Sequence, residues 1–146
     1  MKTFPSLSPR AQGFTLIEVM VTCAIVALVT VIALPIYQGS VQKARRSDAK
    51  NALLDLAARE ERYFATNNTY TATATSLGYS AAFPIAVTNG GVASYTLNVT
   101  AATTSTFTAV ATRGTPQAND ACGDYQLTDQ GTQSNVNYTS LTPPCW

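Results

Sequence analysis

Glu18 is the only charged residue in an apolar run covering residues 14–36, and it stands close to the start of that run. Carboxylates and hydroxyls elsewhere lack the companions that chemistry needs. The chain contains no His, so the usual general base, proton shuttle and zinc ligand is missing. Ser and Thr are plentiful, but neither His nor paired carboxylates accompany them in a recognisable motif, so no catalytic residue is assigned. Asp120, Asp124 and Asp129 invite comparison with a calcium loop, yet their spacing lacks its dense oxygen pattern. No metal ligand and no cofactor are expected.

The three cysteines divide into two kinds. Cys23 lies inside the apolar run and reads as a small buried hydrophobe. Cys122 and Cys145 fall in the polar C-terminal part, where two cysteines fit one disulfide if that part is exported, or else two unrelated free thiols. A bridge would close a loop of 24 residues, worth roughly 3 kcal/mol in the chain-entropy account.

A chain of 146 residues bounds the design to one modest domain plus an appendage. Charged residues make up 12%, several of them between Lys43 and Arg62, and the rest of the polarity comes mainly from Thr, Ser, Asn and Gln. The formal charge of +1 includes Lys2 and Arg10; without them seven basic residues face eight acidic ones, a balance of −1. No overall basic field advertises nucleic-acid binding.

Residues 14–36 make 23 positions, and a helix of that length reaches roughly 35 Å, enough to cross a bilayer. Lys2 and Arg10 ahead of the run place the N-terminus in the cytoplasm by the positive-inside tendency, and Lys43, Arg45 and Arg46 weaken that orientation. A secretory signal peptide is one reading, with 31–33 as its cleavage site, but the run is too long and carries an acid. A plain single-span anchor handles the length and leaves Glu18 costing about 2.5 to 3.5 kcal/mol if charged at mid-bilayer, less near the interface.

A third reading rests on the string GFTLIE, residues 13–18, behind a short basic leader. It resembles the class III signal of type IV prepilins and pseudopilins, in which a membrane peptidase cuts after the Gly and N-methylates the new terminus. The resemblance implies cleavage between Gly13 and Phe14, a leader of 1–13, methylation of Phe14, and a membrane and polymerisation helix over 14–38. It also supplies a role for the acid. The cationic amine of Phe14 on one subunit can face Glu18 of a neighbour, an attraction of about 4 kcal/mol at 4 Å and an effective dielectric near 20. Pro35, 22 residues into the mature chain, matches the family's helix proline, and with Gly39 it implies a kink or a locally melted turn.

Beyond Tyr37, Ala49, Ala52, Leu53, Leu56, Ala57, Tyr63 and Phe64 recur at helical spacing, which extends one interrupted helix to about Ala65. The cluster KARRSDAK, residues 43–50, reads first as a solvated helix face, with phosphate or lipid-headgroup contact as alternatives. Helical signals end in the loop 66–80. Alternation then marks strands at Tyr95, Leu97 and Val99, at Phe107, Ala109 and Ala111, and at Tyr125 and Leu127. The expected class is α+β: a long N-terminal helix packed on three or four antiparallel strands, the globular part being 39–146.

The C-terminal stretch, with Cys-Gly at 122–123, a turn at 129–131 and a terminal Cys-Trp, resembles PilE-type minor pilins, whose last loop is closed by a disulfide; this implies a Cys122–Cys145 bridge. The implied function is a structural, non-enzymatic subunit of a type IV pilus, held first in the inner membrane and then in an extracellular fibre. Its implied partners are the prepilin peptidase/methyltransferase, other pilin subunits and the assembly machinery. Alternatives are a type II secretion pseudopilin and a DNA-binding minor pilin for transformation. Against nucleic acid, Arg113 is the only cation after Phe64, and it faces Asp120, Asp124 and Asp129.

Overall fold

A computed structural model describes residues 13–141 and 145–146. The leader before Gly13, with Lys2 and Arg10, lies outside the described residues. The chain divides into two compact units, one ending at Gln38 and the other Gly39–Trp146.

Helix α1 is Leu16–Asn67, 52 residues. Thr15 caps it: the Glu18 N–H donates to the Thr15 carbonyl at 3.1 Å and to its hydroxyl at 3.3 Å. Asn68 stops it, with φ +53° and its N–H on the Phe64 carbonyl at 2.8 Å. The helix is assigned without a break through Pro35 and Gly39. Proline removes one backbone donor, and the helical assignment continues unbroken on both sides of it.

Five strands form one antiparallel sheet in chain order: β1 Ile85–Asn89, β2 Val92–Ala102, β3 Phe107–Arg113, β4 Asp124–Thr128 and β5 Gln133–Val136. Gly90 and Gly91, with φ +57° and +80°, form the two-residue turn that pairs Asn89 with Val92, a backbone geometry glycine adopts without strain. Ala49, Leu53 and Leu56 of α1 pack on Tyr95, Leu97, Val99, Phe107, Ala109, Ala111, Tyr125 and Leu127 from the inner face of the sheet. The alternating residues expected to be buried in β2, β3 and β4 are all buried. The outer face of β2 and β3 is uncharged, carrying among others Thr96, Asn98, Thr108 and Thr112.

The helical stripe holds one group that periodicity by apolar residues missed. Glu60, one turn beyond Leu56, is fully buried; its Oε2 accepts from the Thr71 N–H at 3.1 Å, while Oε1 has no partner. Burial pushes its carboxyl above the ordinary value, the Thr71 N–H partly opposing and Glu61 adding to the rise. An acid raised in the folded state binds its proton more tightly there than in the unfolded chain. Stability therefore falls as pH rises from 4.5 through the raised value. Glu60→Gln is expected to stabilise the protein by about 1 kcal/mol at pH 7, the scale of one unsatisfied buried oxygen, and by nothing near pH 4. Melting curves of the two proteins at both pH values check this; equal midpoints at pH 7 would contradict it.

Candidate functional site

The first candidate segment is the head of α1. Phe14 is 83% exposed, and Leu16, Ile17, Val19, Met20 and the large apolar residues onward to Tyr37 are exposed too. This is an apolar stretch of at least 18 residues, none of them buried among the described residues, by length and composition able to cross a membrane. Thr15 and Glu18 stand three residues apart in the capping pattern. The cap directs the first turn, from which the Glu18 side chain projects without a partner among the described residues. Cys23 is exposed, not buried, since none of the described residues covers this stretch.

The second candidate is a polar lock in the globular unit. Asp120, only 1% exposed, accepts from the Arg46 guanidinium in a two-point bridge, Nη2 to Oδ1 at 2.6 Å and Nε to Oδ2 at 2.8 Å. It also accepts from the Cys122 N–H at 3.0 Å, the Gln117 amide at 3.0 Å and the Tyr95 hydroxyl at 3.2 Å. Burial by itself raises the Asp120 carboxyl; the Arg46 bond and the Cys122 N–H outweigh it and hold the group below 3.8. The neighbouring Tyr95 phenol is pushed well above 10, chiefly by burial. Arg113 extends the lock, donating to the Asp120 and Asn137 carbonyls, both at 2.8 Å. Asp124 in turn accepts from the Arg113 N–H at 2.9 Å and from Asn137 Nδ2 at 2.7 Å.

Cys122 and Cys145 are bridged. Trp146 donates from Nε1 to the Ser134 carbonyl at 2.8 Å and meets the Tyr125 ring edge-on at 5.3 Å, so the last residue covers the core beside β5. Gly123, at φ +69°, has no room for a Cβ, which would strike the Val136 carbonyl. Reduction is expected to lower stability by roughly 3 kcal/mol, as loop closure over the bridged segment predicts. A melting midpoint unmoved by reductant would contradict this.

The model of a family described as type IV minor pilin ComP, DNA uptake sequence receptor, matches residues 35–126. The chain belongs to this family of type IV pilins. The prokaryotic N-terminal methylation motif matches residues 8–34 of the same pilin. The type IV major pilin protein PilA of Myxococcus xanthus (strain DK1622) is 32% identical over 73 residues, 50% of this chain and 33% of that relative's length. The pilin thus matches a third of the curated relative. A type IV pilin structure from Shewanella oneidensis is 25% identical with a TM-score of 0.46, covering 72% of this pilin and 97% of that chain.

Within the pilin, Gly13, Phe14, Thr15 and Glu18 fall together at the head of α1. Pro35 and Gly39 lie within the same helix. The disulfide belongs to the globular unit. The reading of residues 43–50 as a solvated face needs correction. Arg46 is 12% exposed and bound to Asp120, Arg45 donates to the Pro116 carbonyl at 3.3 Å, and Lys50 sits 6.0 Å over the Tyr125 ring. Lys43 alone of these cations remains exposed without a partner among the described residues. Gln117 and Glu60 were missed, being polar residues whose burial depends on segments far away in the chain; Asn137 is exposed and enters only through its bonds to Arg113 and Asp124. Asp120 and Asp124 direct their oxygens to Arg46 and Arg113, not to a shared centre. No group of three or more His, Cys, Asp or Glu suited to a metal occurs among the described residues.

Proposed function

We propose that this pilin is a structural subunit that polymerises through its N-terminal helix after removal of residues 1–13 and methylation of Phe14. The observation that carries the reading is the methylation motif over residues 8–34, which takes in an apolar helical stretch with one carboxylate and no buried residue among those described. A charged amine at Phe14 and the Glu18 carboxylate of an adjacent subunit supply a register-dependent attraction, and the exposed apolar side chains supply packing between helices. Residues 14–38 serve as membrane anchor before assembly, with the N-terminus cytoplasmic, and 39–146 as the extracellular head. Prepilin peptidase, other pilins and the assembly machinery are the partners. Pilins are structural proteins, not an enzyme family.

The test is shearing of surface fibres from peptidase-positive cells. The pilin is expected in the sheared fraction, and in peptidase-negative cells in the membrane alone. Retention in the membrane of both would contradict the proposal.

The description of the matching family, a DNA uptake sequence receptor, favours a second reading in which the head also binds DNA. Its cations argue for a weak role. Arg46 and Arg113 are committed to internal acceptors, Arg45 to Pro116, and the outer face of β2 and β3 carries no cation. Binding by counterion release requires several free cations. Gel shift of a duplex by the full chain in neutral detergent, across salt concentrations, is expected to give little retardation at physiological salt. Tight binding there would install the second reading.

A further inference from the structure

The last turns of α1 and the short 3₁₀ turn Ala74–Leu77 border an open cleft of about 340 Å³, lined by Arg59, Arg62, Tyr63, Thr66, Ser76 and Leu77. Two guanidinium groups line it and no carboxylate does. Arg59 is fixed in place: Nε donates to Asp55 at 2.8 Å, Nη1 to the Leu77 carbonyl at 3.1 Å, and its Cζ lies 4.5 Å from the centre of the Tyr79 ring. Asp55 compensates that charge.

Arg62 is different. It is exposed, one helical turn from the fixed arginine, and its guanidinium has no hydrogen-bond or ion-pair partner among the described residues. The hydroxyls of Tyr63 and Ser76 are likewise unengaged there. Thr66 donates its proton to the Tyr63 carbonyl at 3.0 Å and accepts from Asn67 Nδ2 at 2.8 Å, which leaves one lone pair on its oxygen to accept. The cleft therefore offers one uncompensated planar cation, two hydroxyl donors, one hydroxyl acceptor, and an apolar wall from Leu77 and the Tyr63 ring.

We infer that this cleft is a binding site for an acidic saccharide, Arg62 taking the carboxylate or phosphate carried by the sugar while Tyr63, Thr66 and Ser76 take its ring and hydroxyls. A guanidinium grips a carboxylate or phosphate with two parallel N–H donors. The volume lies in the range of small-ligand pockets and admits a sugar residue with its acidic group. Nucleic acid fits less well, because a phosphodiester track calls for a row of free cations and only one is free at this cleft.

The test titrates the full chain in neutral detergent, by calorimetry, with a galacturonic acid hexamer, with its methyl-esterified neutral form, and with a DNA duplex of 12 base pairs. The acidic hexamer is expected to bind and the esterified one to bind about tenfold more weakly, the scale of one lost charged hydrogen-bonding group. Arg62→Ala should cost a similar factor, Arg62→Lys less, and Lys43→Ala nothing. Arg62 is exposed, so melting midpoints of its variants should match the parent and separate binding from folding. Equal affinity for both hexamers, affinity untouched by Arg62→Ala, or binding of the duplex alone would overturn the inference. Incorporation of Arg62→Ala into fibres is expected to be normal, which keeps this test apart from that of polymerisation.

Discussion

Glu18→Gln is expected to reduce incorporation of the pilin into surface fibres by roughly ten- to a hundredfold while leaving its membrane level unchanged. The size follows from the interaction lost. An amine and a carboxylate about 4 Å apart attract by about 4 kcal/mol at an effective dielectric near 20, and part of that offsets the desolvation of both ions. A residual 1.4 to 2.8 kcal/mol corresponds to about ten- to a hundredfold in an equilibrium constant. Gln preserves the shape and the cap, in which Thr15 accepts from the backbone N–H of residue 18. Helix formation and insertion should thus be unaffected. Quantitative blotting of sheared and membrane fractions from cells expressing each form checks the expectation. Fibres that take up both forms equally would mean that Glu18 does not direct docking.

The second large effect belongs to Asp120. Asp120→Ala is expected to destabilise the globular unit by about 3 to 5 kcal/mol, since it strips Arg46 of a two-point partner in a site where the guanidinium is 12% exposed. It also removes acceptors from Gln117, Tyr95 and the Cys122 N–H. Arg46→Met with Asp120→Leu should recover much of the loss, because it removes both charges together. The same pair gives an acid dependence. The Asp120 carboxyl is held below 3.8, so its contribution is complete above that pH and disappears as pH falls through the depressed folded value. Denaturant titration of parent, single and double variants measures each effect; a single variant less than about 1 kcal/mol below the parent would rule out the lock.

The sheet was legible where burial imposes a period of two. Tyr95, Leu97 and Val99, or Phe107, Ala109 and Ala111, alternate because one side of each strand faces α1 and the other faces water. Strand β1 carries Ile85 and Val87 only half-buried, and β5, reading QSNV, has almost no apolar signal. Both are edge strands held by backbone pairing to a neighbour, which leaves little trace in residue type. The helix stripe was legible for the same reason as the strands, except at Glu60, where a charge occupies a core position. Spacing from Leu53 and Leu56 does mark that site, once charge is set aside. Arg46 and Asp120 lie 74 residues apart, so neither advertises the other. A cation on a helix looks solvated until the fold supplies its acceptor. At the head of α1 the situation is reversed: Gly13, Phe14 and Glu18 lie within six residues of sequence, so their grouping is legible before any tertiary structure matters.

The central claim is that the chain is trimmed and methylated in order to polymerise, and the intact mass of the pilin recovered from sheared surface fibres tests it most directly. The mass should equal a chain beginning at Phe14, with one added methyl group and two hydrogens fewer for the Cys122–Cys145 bridge. Fibres built from a pilin that still carries residues 1–13 would contradict the account.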